Sequence, residues 1–263
     1  MKFSFIGAGN MASAIINGIC LKNLATPSDI CVSDKNGTKL EDFTKKGISV
    51  TESNEKCAAF GDVIIIAVKP NIVAKIAPEI KADAKGKLVI SIAAGVSSDS
   101  LKKMLESDRI IRIMPNTPAL VGEGMTAVCK TDGADDSDIQ TVCRIFDSVG
   151  KTVVINENQI DAVTAVSGSG PAYIYMVIEA MADGGVLCGL TREDAYTLAA
   201  QTVLGSAKTV LETGVHPGKL KDAVCSPGGT TIEAVKVLEE KGLRSALIDA
   251  VVACRDKSKK MSQ

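Results

Sequence analysis

The sequence predicts an α/β protein in which a doubly wound parallel sheet is followed by an all-helical region. Over the first half of the chain, β-branched apolar runs alternate with helical patterns of about ten residues, which is typical of right-handed βαβ units. A glycine-rich segment comes directly after the first run. Beyond residue 156 the strand pattern stops and only helical spacing remains. We therefore expect two domains, residues 1–156 and residues 157–263.

The strands of the first domain are predicted in chain order, with helices between them. Strand candidates span residues 2–6, 29–33, 62–68, 87–93 and 109–114, and the first helices span 10–22 and 39–47. The continuous apolar run 62–68, DVIIIAV, is typical of a strand buried on both faces of a parallel sheet. Between residues 123 and 154, the strand GMTAVCK, a helix at 135–147 and the strand KTVVI are expected to extend the same sheet.

The second domain is predicted to be helical throughout. Its helix candidates span residues 158–166, 171–188, 192–213, 218–224, 230–241 and 243–260. Long Ala, Val and Leu stretches such as AYTLAAQTVLGSAKTVLETG are apolar on more than one face, which exceeds the need of a peripheral helix. We expect these helices to pack against a second subunit, although a compact bundle that buries its own helices stays open.

Composition excludes several classes of protein. The net charge is −1, aromatic residues make up 3%, and there is no Trp, so neither an electrostatic nor a stacking surface for nucleic acid is predicted. No apolar run approaches a membrane span, and the N-terminus lacks the pattern of a signal peptide. The eight cysteines are scattered without a C-x-x-C pair and with a single histidine, which predicts no metal site and a reducing, cytoplasmic setting.

The segment GAGNMA, residues 7–12, places G-x-G-x-x-A between the first strand and the first helix. In that context it is the Rossmann dinucleotide fingerprint. Gly7 permits the tight turn, Gly9 lets a pyrophosphate approach the backbone, and Ala12 allows close packing of helix on strand. The sequence therefore predicts a Rossmann-type nucleotide site.

The end of the second strand bears on the choice of cofactor. An acidic residue there usually binds the ribose hydroxyls of NAD, and a basic one accommodates the 2′-phosphate of NADP. This chain has Asp34 between Ser33 and Lys35, so both cofactors stay open and NADPH is favoured. Two later strand ends, AVKP (67–70) and SIAAGV (91–96), are expected at the same edge of the sheet, where ordinary strand-to-helix turns are the alternative.

No residue pattern suggests a nucleophile with its base. The single histidine, His216, precedes Pro217, where capping of a surface helix is its expected role. A reaction that needs no strong protein base is therefore favoured. Hydride transfer to an imine fits, because a protonated C=N bond is already electrophilic and the protein has mainly to orient it.

The segment CSPGGTTIEAVKVLE, residues 225–239, opens a helix with Ser, Pro, two glycines and two threonines. Glycine and threonine are not strong helix formers, so helix propensity does not explain why they stand at the start of this helix. A bare helix N-terminus offers free N–H groups and a positive dipole end to an anion. Simple capping by a hydroxyl is the alternative.

Together these motifs resemble pyrroline-5-carboxylate reductases, and the resemblance extends over nearly the whole chain. The family's signature is two small residues, any residue, Gly-Gly, any residue and Thr, and residues 225–231 match it. The other matching segments are FIGAGNMA, AVKP, SIAAGV, RIMPNTPALVGEG and AVSGSGPAY.

The resemblance implies a substrate, 1-pyrroline-5-carboxylate, whose C=N bond is reduced to give L-proline. The backbone around Gly229 to Thr231, with the Ser226 hydroxyl, would hold its carboxylate, and Thr231 would hydrogen-bond the ring nitrogen. The implied substrate-binding residues are Ser226, Gly228, Gly229, Thr230 and Thr231, with Thr231 as the catalytic residue. The implied cofactor-binding residues are Ile6, Gly7, Ala8, Gly9, Asn10, Met11, Ser33, Lys35, Asn54, Ala67, Val68, Lys69, Pro70, Ile92, Ala93 and Ala94.

By the same resemblance the segment MPNTP (114–118) would close over the nicotinamide, and the chain would form homodimers through its helical domain and larger rings such as decamers. Asp34 departs from the NADP-friendly versions of its loop, which leaves the cofactor preference in doubt.

Two rival functions are weighed against this one. A β-hydroxy-acid dehydrogenase would need a lysine in the first long helix of the second domain, and PAYIYMVIEAMADGG has none. A nucleotide sensor without activity would not need the Ser226–Thr231 segment.

Overall fold

A computed structural model of the chain describes residues 1–261. It divides into two compact units, Met1–Ser169 with the C-terminal residues from Cys254, and Gly170–Ala253. The domain boundary after residue 156 stays a prediction. Residues 157–169 are grouped with the first unit, where Glu157 contacts Ser98 and Arg112.

The first unit is built on one eight-stranded sheet. Its strands are β1 (Phe3–Ile6), β2 (Ile30–Ser33), β3 (Ser49–Thr51), β4 (Val63–Ile66), β5 (Leu88–Ser91), β6 (Ile110–Met114), β7 (Gly124–Lys130) and β8 (Gly150–Asn156). Their order across the sheet is β3-β2-β1-β4-β5-β6-β7-β8, and every pair is parallel except β6 with β7. This order confirms the predicted doubly wound sheet.

Helices cover both faces of this sheet. Those of the first unit are α1 (Asn10–Leu21), α2 (Glu41–Lys45), α3 (Asn54–Phe60), α4 (Pro70–Ala84), α5 (Ser98–Leu105), α6 (Asp136–Phe146) and α7 (Ile160–Val163). In β4, Val63 and Ile65 join the core cluster beneath α1 and α6, while Ile64 and Ile66 join the cluster beneath α3, α4 and α5. The strand is buried on both faces, as its unbroken apolar run predicts.

Two features of the sheet differ from the sequence expectations. The edge strand β3 is not predicted from the sequence, because it is partly exposed and its three residues are too few to show alternation. The sequence pattern also does not predict the antiparallel pairing of β6 with β7, in which Ile113 lies opposite Val128. A parallel crossover takes a dozen or more residues, and the link from Met114 to Gly124 is shorter than that.

The second unit is entirely helical over its described length. Its helices are α8 (Gly170–Leu187), α9 (Arg192–Thr213), α10 (Pro217–Ala223), α11 (Thr230–Glu240) and the first part of α12 (Leu243–Met261). The predicted helix at 158–166 ends early, because Thr164–Gly168 forms a π-helical turn after α7.

The helical unit buries very little apolar surface within one chain. Its only buried cluster in the described chain is three alanines, Ala182, Ala195 and Ala199, on the facing sides of α8 and α9. Large apolar side chains elsewhere on these helices are exposed, including Ile174, Tyr175, Met176, Leu198, Leu204, Leu211 and Ile248. Such a face calls for another surface to cover it.

Candidate active site

The glycine-rich turn links β1 to α1 at the point where the strand order reverses. Gly7 has a φ of +110°, and a Cβ there would stand 2.5 Å from the Ala67 carbonyl oxygen, so only glycine fits. Its N–H donates to the Ser33 carbonyl at 2.7 Å. Gly9 is the N-cap residue of α1, with no capping side chain and open space where a Cβ would lie. The first turn of α1 therefore faces an open cradle suited to a pyrophosphate.

A cavity of about 380 Å³ opens beside this turn. The ends of β1, β2 and β4 meet there, since Ile6 pairs with both Ser33 and Ile66. The cavity is lined by Gly7, Gly9, Ser33, Asp34, Lys35, Lys39, Asn54, Ala67, Val68, Lys69, Ile72 and Ile76. It lies at the carboxyl ends of parallel strands, the usual ligand position in open α/β sheets.

Eight of the residues expected to bind the cofactor line this cavity: Gly7, Gly9, Ser33, Lys35, Asn54, Ala67, Val68 and Lys69. The remaining expected residues are not among those that line it: Ile6, Ala8, Asn10, Met11, Pro70, Ile92, Ala93 and Ala94. Ile6 and Ala93 are buried in the core, and Pro70 is the first residue of α4. The assignment of all sixteen residues to the cofactor stays a prediction.

The sequence analysis missed three lining residues. Ile72 and Ile76 lie one turn apart on α4, so the helical period counted from Pro70 could have identified them. Lys39 ends a short 3₁₀ turn, and nothing in its sequence context signals that it lines the cavity.

Asp34 points towards the glycine-rich turn. Its carboxylate accepts the backbone N–H of Ala8 at 3.1 Å and that of Asn36 at 2.9 Å, and it pairs with Lys39 at 3.4 Å. Burial acts to raise the pKa of Asp34, but these donors outweigh it and hold the pKa below its usual value. Asp34 thus fixes the loop while ionised.

A chain of polar contacts crosses the same end of the cavity. The Ser33 hydroxyl donates to Asn54 Oδ1 at 2.7 Å, and Asn54 Nδ2 donates to Glu79 Oε2 at 2.8 Å. That Glu79 oxygen lies 3.6 Å from Lys35 Nζ. Glu79 was not foreseen as part of the site, because it follows the strand end by more than two helical turns.

The segment at 225–231 forms a separate candidate site in the helical unit. Gly228 takes a left-handed φ of +65°, and a Cβ on Gly229 would collide with the Ser226 hydroxyl. Gly229 is the N-cap residue of α11, and no side chain of the described chain caps it. The expected alternative, a hydroxyl that caps the helix, is therefore wrong. Backbone N–H groups in the first turn are left for another acceptor.

Two further expectations concern His216 and the 114–118 segment. His216 Nδ1 accepts the Gly218 N–H at 3.1 Å as the N-cap of α10, which confirms its capping role. Asn116 accepts the Met125 N–H at 2.8 Å and donates to the Ser167 carbonyl at 3.0 Å. The segment is thereby tied to β7 and the turn after α7; its closure over a nicotinamide stays a prediction.

Two family descriptions match the chain. "Pyrroline-5-carboxylate reductase dimerisation" matches residues 157–261, and "NADP oxidoreductase coenzyme F420-dependent" matches residues 2–95. The first covers the helical region with the turn and helix that precede it, and the second covers the glycine-rich turn and all the residues that line the cavity.

Three proteins that are at least 36% identical to this one over nearly their whole length are named as pyrroline carboxylate reductases. The pyrroline-5-carboxylate reductase of Escherichia coli is 51% identical over 100% of this chain and 98% of its own. The solved enzyme of Coxiella burnetii matches with a TM-score of 0.95 and 38% identity, over 100% and 98% of the two chains. That of Plasmodium falciparum, solved with NADP bound, matches with 0.87 and 36% over the same shares. On this similarity, the chain belongs to the pyrroline-5-carboxylate reductase family.

Proposed function

We propose that this chain reduces the C=N bond of 1-pyrroline-5-carboxylate with NADPH or NADH and so forms L-proline, the last step of proline biosynthesis. The observation that carries the proposal is the uncapped, glycine-entered N-terminus of α11 in a chain that also has a dinucleotide cavity. Full-length similarity to named reductases supports it.

The cavity at the sheet edge fits a dinucleotide. Gly9 leaves room for the pyrophosphate at the first turn of α1, and Ser33, Lys35 and Asn54 stand at the end expected for the ribose. When bound, the reduced nicotinamide supplies the hydride. The NADP-bound relative supports this use of the cavity.

The N-terminus of α11 would hold the substrate carboxylate. Gly228 and Gly229 bring bare backbone to the surface, and the positive end of the helix dipole favours the negative charge. The exposed Ser226 hydroxyl would add a hydrogen bond, and Thr230 contributes its N–H.

Thr231 would hydrogen-bond the ring nitrogen and keep the imine in line for reduction. The hydride forms the new C–H bond at the imine carbon, the C=N electrons become the nitrogen lone pair, and a proton completes the amine. A threonine hydroxyl is a weak acid, so Thr231 orients the ring and does not act as a strong proton donor. Because the imine is already electrophilic, holding it in line with the nicotinamide would by itself accelerate hydride transfer.

The helical unit would provide a homodimer interface. Its three-alanine cluster is small for five helices, and large exposed side chains cover α8 and α9. The match to a dimerisation family supports this assembly. A larger ring, such as a decamer, is a further proposal that rests on the family resemblance alone. No described helix is long and apolar enough to cross a bilayer; a cytoplasmic location is likewise proposed.

The test is consumption of reduced nicotinamide with and without 1-pyrroline-5-carboxylate, for wild type and for Thr231→Ala. Imine-dependent oxidation is expected for the wild type, and a turnover about tenfold to a hundredfold lower for the variant, with cofactor binding unchanged. Thr231→Ser and Thr230→Ala, which keep the Thr231-position hydroxyl, should retain most of the turnover. Wild-type protein that binds cofactor but oxidises none of it would favour the sensor.

A further inference from the structure

Glu79 stands at the ribose end of the dinucleotide cavity. Helix α4 carries Ile72, Ile76 and Glu79 at helical spacing on one side, and the two isoleucines line the cavity. The Glu79 side chain therefore lies one turn beyond the last lining residue. Its side chain is 39% exposed, so it is in contact with solvent and with the cavity rim.

The carboxylate of Glu79 lies beside the two donors best suited to a phosphate at this end, Asn54 and Lys35. One oxygen accepts Asn54 Nδ2 at 2.8 Å and lies 3.6 Å from Lys35 Nζ. The other nearby cation, Lys39, is paired with Asp34 at 3.4 Å, and Asp34 is itself held by backbone N–H groups. Each lysine at the ribose end thus has a carboxylate partner before any ligand arrives.

We propose that Glu79 sets the discrimination between NADPH and NADH by competing with the 2′-phosphate for Lys35 and Asn54. A phosphomonoester carries a charge near −2 at neutral pH, so it has to displace Glu79 from these donors and then remain close to its negative charge. A ribose 2′-hydroxyl carries no charge and can donate a hydrogen bond to a carboxylate. Glu79 accordingly penalises NADPH and leaves NADH unaffected.

The inference deepens the proposed function, on which it rests, because it names the residue that tunes the cofactor of that same site. Lys35 and Ser33 favour a phosphate there, and the carboxylate of Asp34, which also lines the cavity, is held by the N–H groups of Ala8 and Asn36. Among the described residues, the carboxylate that pairs with Lys35 is that of Glu79. Competition from Glu79 would let a pocket with two lysines accept NADH as well as NADPH.

The test is Glu79→Gln, which keeps an acceptor for Asn54 and removes the charge. Titration by nicotinamide fluorescence is expected to show a Kd for NADPH that falls about threefold to tenfold, with the Kd for NADH within about twofold of wild type. The gain for NADPH should shrink at about 0.5 M salt, because the charges are near the surface. Asp83→Asn is the matched control: it makes the same charge change on α4, one turn further along, and should alter neither Kd.

Two results would overturn the proposal: an unchanged ratio of the two Kd values, whether both stay the same or both change equally, or a selective loss of NADPH affinity. An equal weakening would mean that Glu79 only supports the fold around Asn54. These binding measurements need no imine substrate. Failure of the proposed reaction would appear as absent turnover with normal cofactor binding, so the two failures are distinguishable.

Discussion

At the scale of single residues, glycine is present at positions 7 and 9 of the first turn for two different physical reasons. Gly7 is required by the fold, since its φ is +110° and a Cβ would meet the Ala67 carbonyl. Gly9 has ordinary backbone angles and nothing within contact distance of a Cβ, so the fold does not require it. Its absent side chain instead leaves the N-terminus of α1 open to a ligand.

Substitution by alanine should separate these two reasons. Gly9→Ala is expected to fold like the wild type and to bind NADPH at least about tenfold more weakly, because the methyl group fills the pyrophosphate position. Gly7→Ala is expected to lose about 2–4 kcal/mol of the free energy of unfolding. Urea unfolding and a cofactor titration check both variants. A Gly9→Ala protein with normal affinity would mean that the pyrophosphate lies elsewhere.

Residue patterns predicted part of the site and missed the rest for a definite reason. Motifs adjacent in sequence to strand ends identified Gly7, Gly9, Ser33 and Lys69, because a strand end fixes where the next residues lie. The orientation of Asp34 depends on its contact with Ala8 in the turn after β1. The reach of Glu79 depends on the contact between α4 and Asn54 on α3. No single-sequence pattern encodes such contacts.

At the scale of elements, an ion pair between the buried Arg112 and the half-buried Glu157 joins three segments of the first unit. Arg112 on β6 donates to Glu157 at 3.0 Å, and Glu157 also accepts the Ser98 N–H at 2.9 Å and the Ser98 hydroxyl. Glu157 thereby satisfies the first turn of α5 as a capping carboxylate from a distant segment. Burial acts to raise the pKa of Glu157, but the Ser98 and Arg112 donors outweigh it, and the pKa lies below its usual 4.5.

The lowered pKa predicts how stability depends on pH. The contribution of Glu157 is complete above pH 4.5 and is lost as the pH falls through the lowered folded-state pKa. Glu157→Gln should reduce the free energy of unfolding by about 1–3 kcal/mol at neutral pH, and the difference from wild type should shrink below about pH 4. The exposed Glu123→Gln is the control, with no measurable effect. A difference that grows on acidification would contradict this role.

Helices and strands were predicted correctly where the sequence pattern was long. They were not predicted where tertiary contacts determine the strand or its direction. The runs 62–68 and 192–213 correspond to β4 (Val63–Ile66) and α9 (Arg192–Thr213), because the first contains an unbroken β-branched run and the second is a long stretch free of Pro. The strand β3 and the antiparallel direction of β7 were not foreseen, because pairing partners and not local pattern determine them.

At the scale of the whole molecule, the helical unit is incomplete as a single chain. Met176 on α8 is 69% exposed, and Leu211 on α9 is 64% exposed. Clusters of this kind on a folded chain mark an interface between proteins. The sequence predicted the excess of apolar helix surface but could not say which side chains one chain leaves uncovered.

A charge on this surface should disrupt the assembly. Met176→Glu is expected to shift the protein from dimer or larger species towards monomer in sedimentation velocity and to lower the unfolding temperature, because a carboxylate would be buried without a partner. Lys208→Gln makes the same change in net charge at a polar position and should leave the assembly intact. A Met176→Glu protein of unchanged size would place the interface on other helices.

The central claim is that a hydride passes from the nicotinamide to the imine carbon. The most direct measurement uses NADPH with deuterium at C4, 1-pyrroline-5-carboxylate and mass spectrometry with NMR of the product. Hydride transfer to the imine carbon should give proline with a single deuterium, located on the ring carbon that is bonded to nitrogen and does not bear the carboxylate. Unlabelled proline, a label at another carbon, or oxidised cofactor without proline would contradict it.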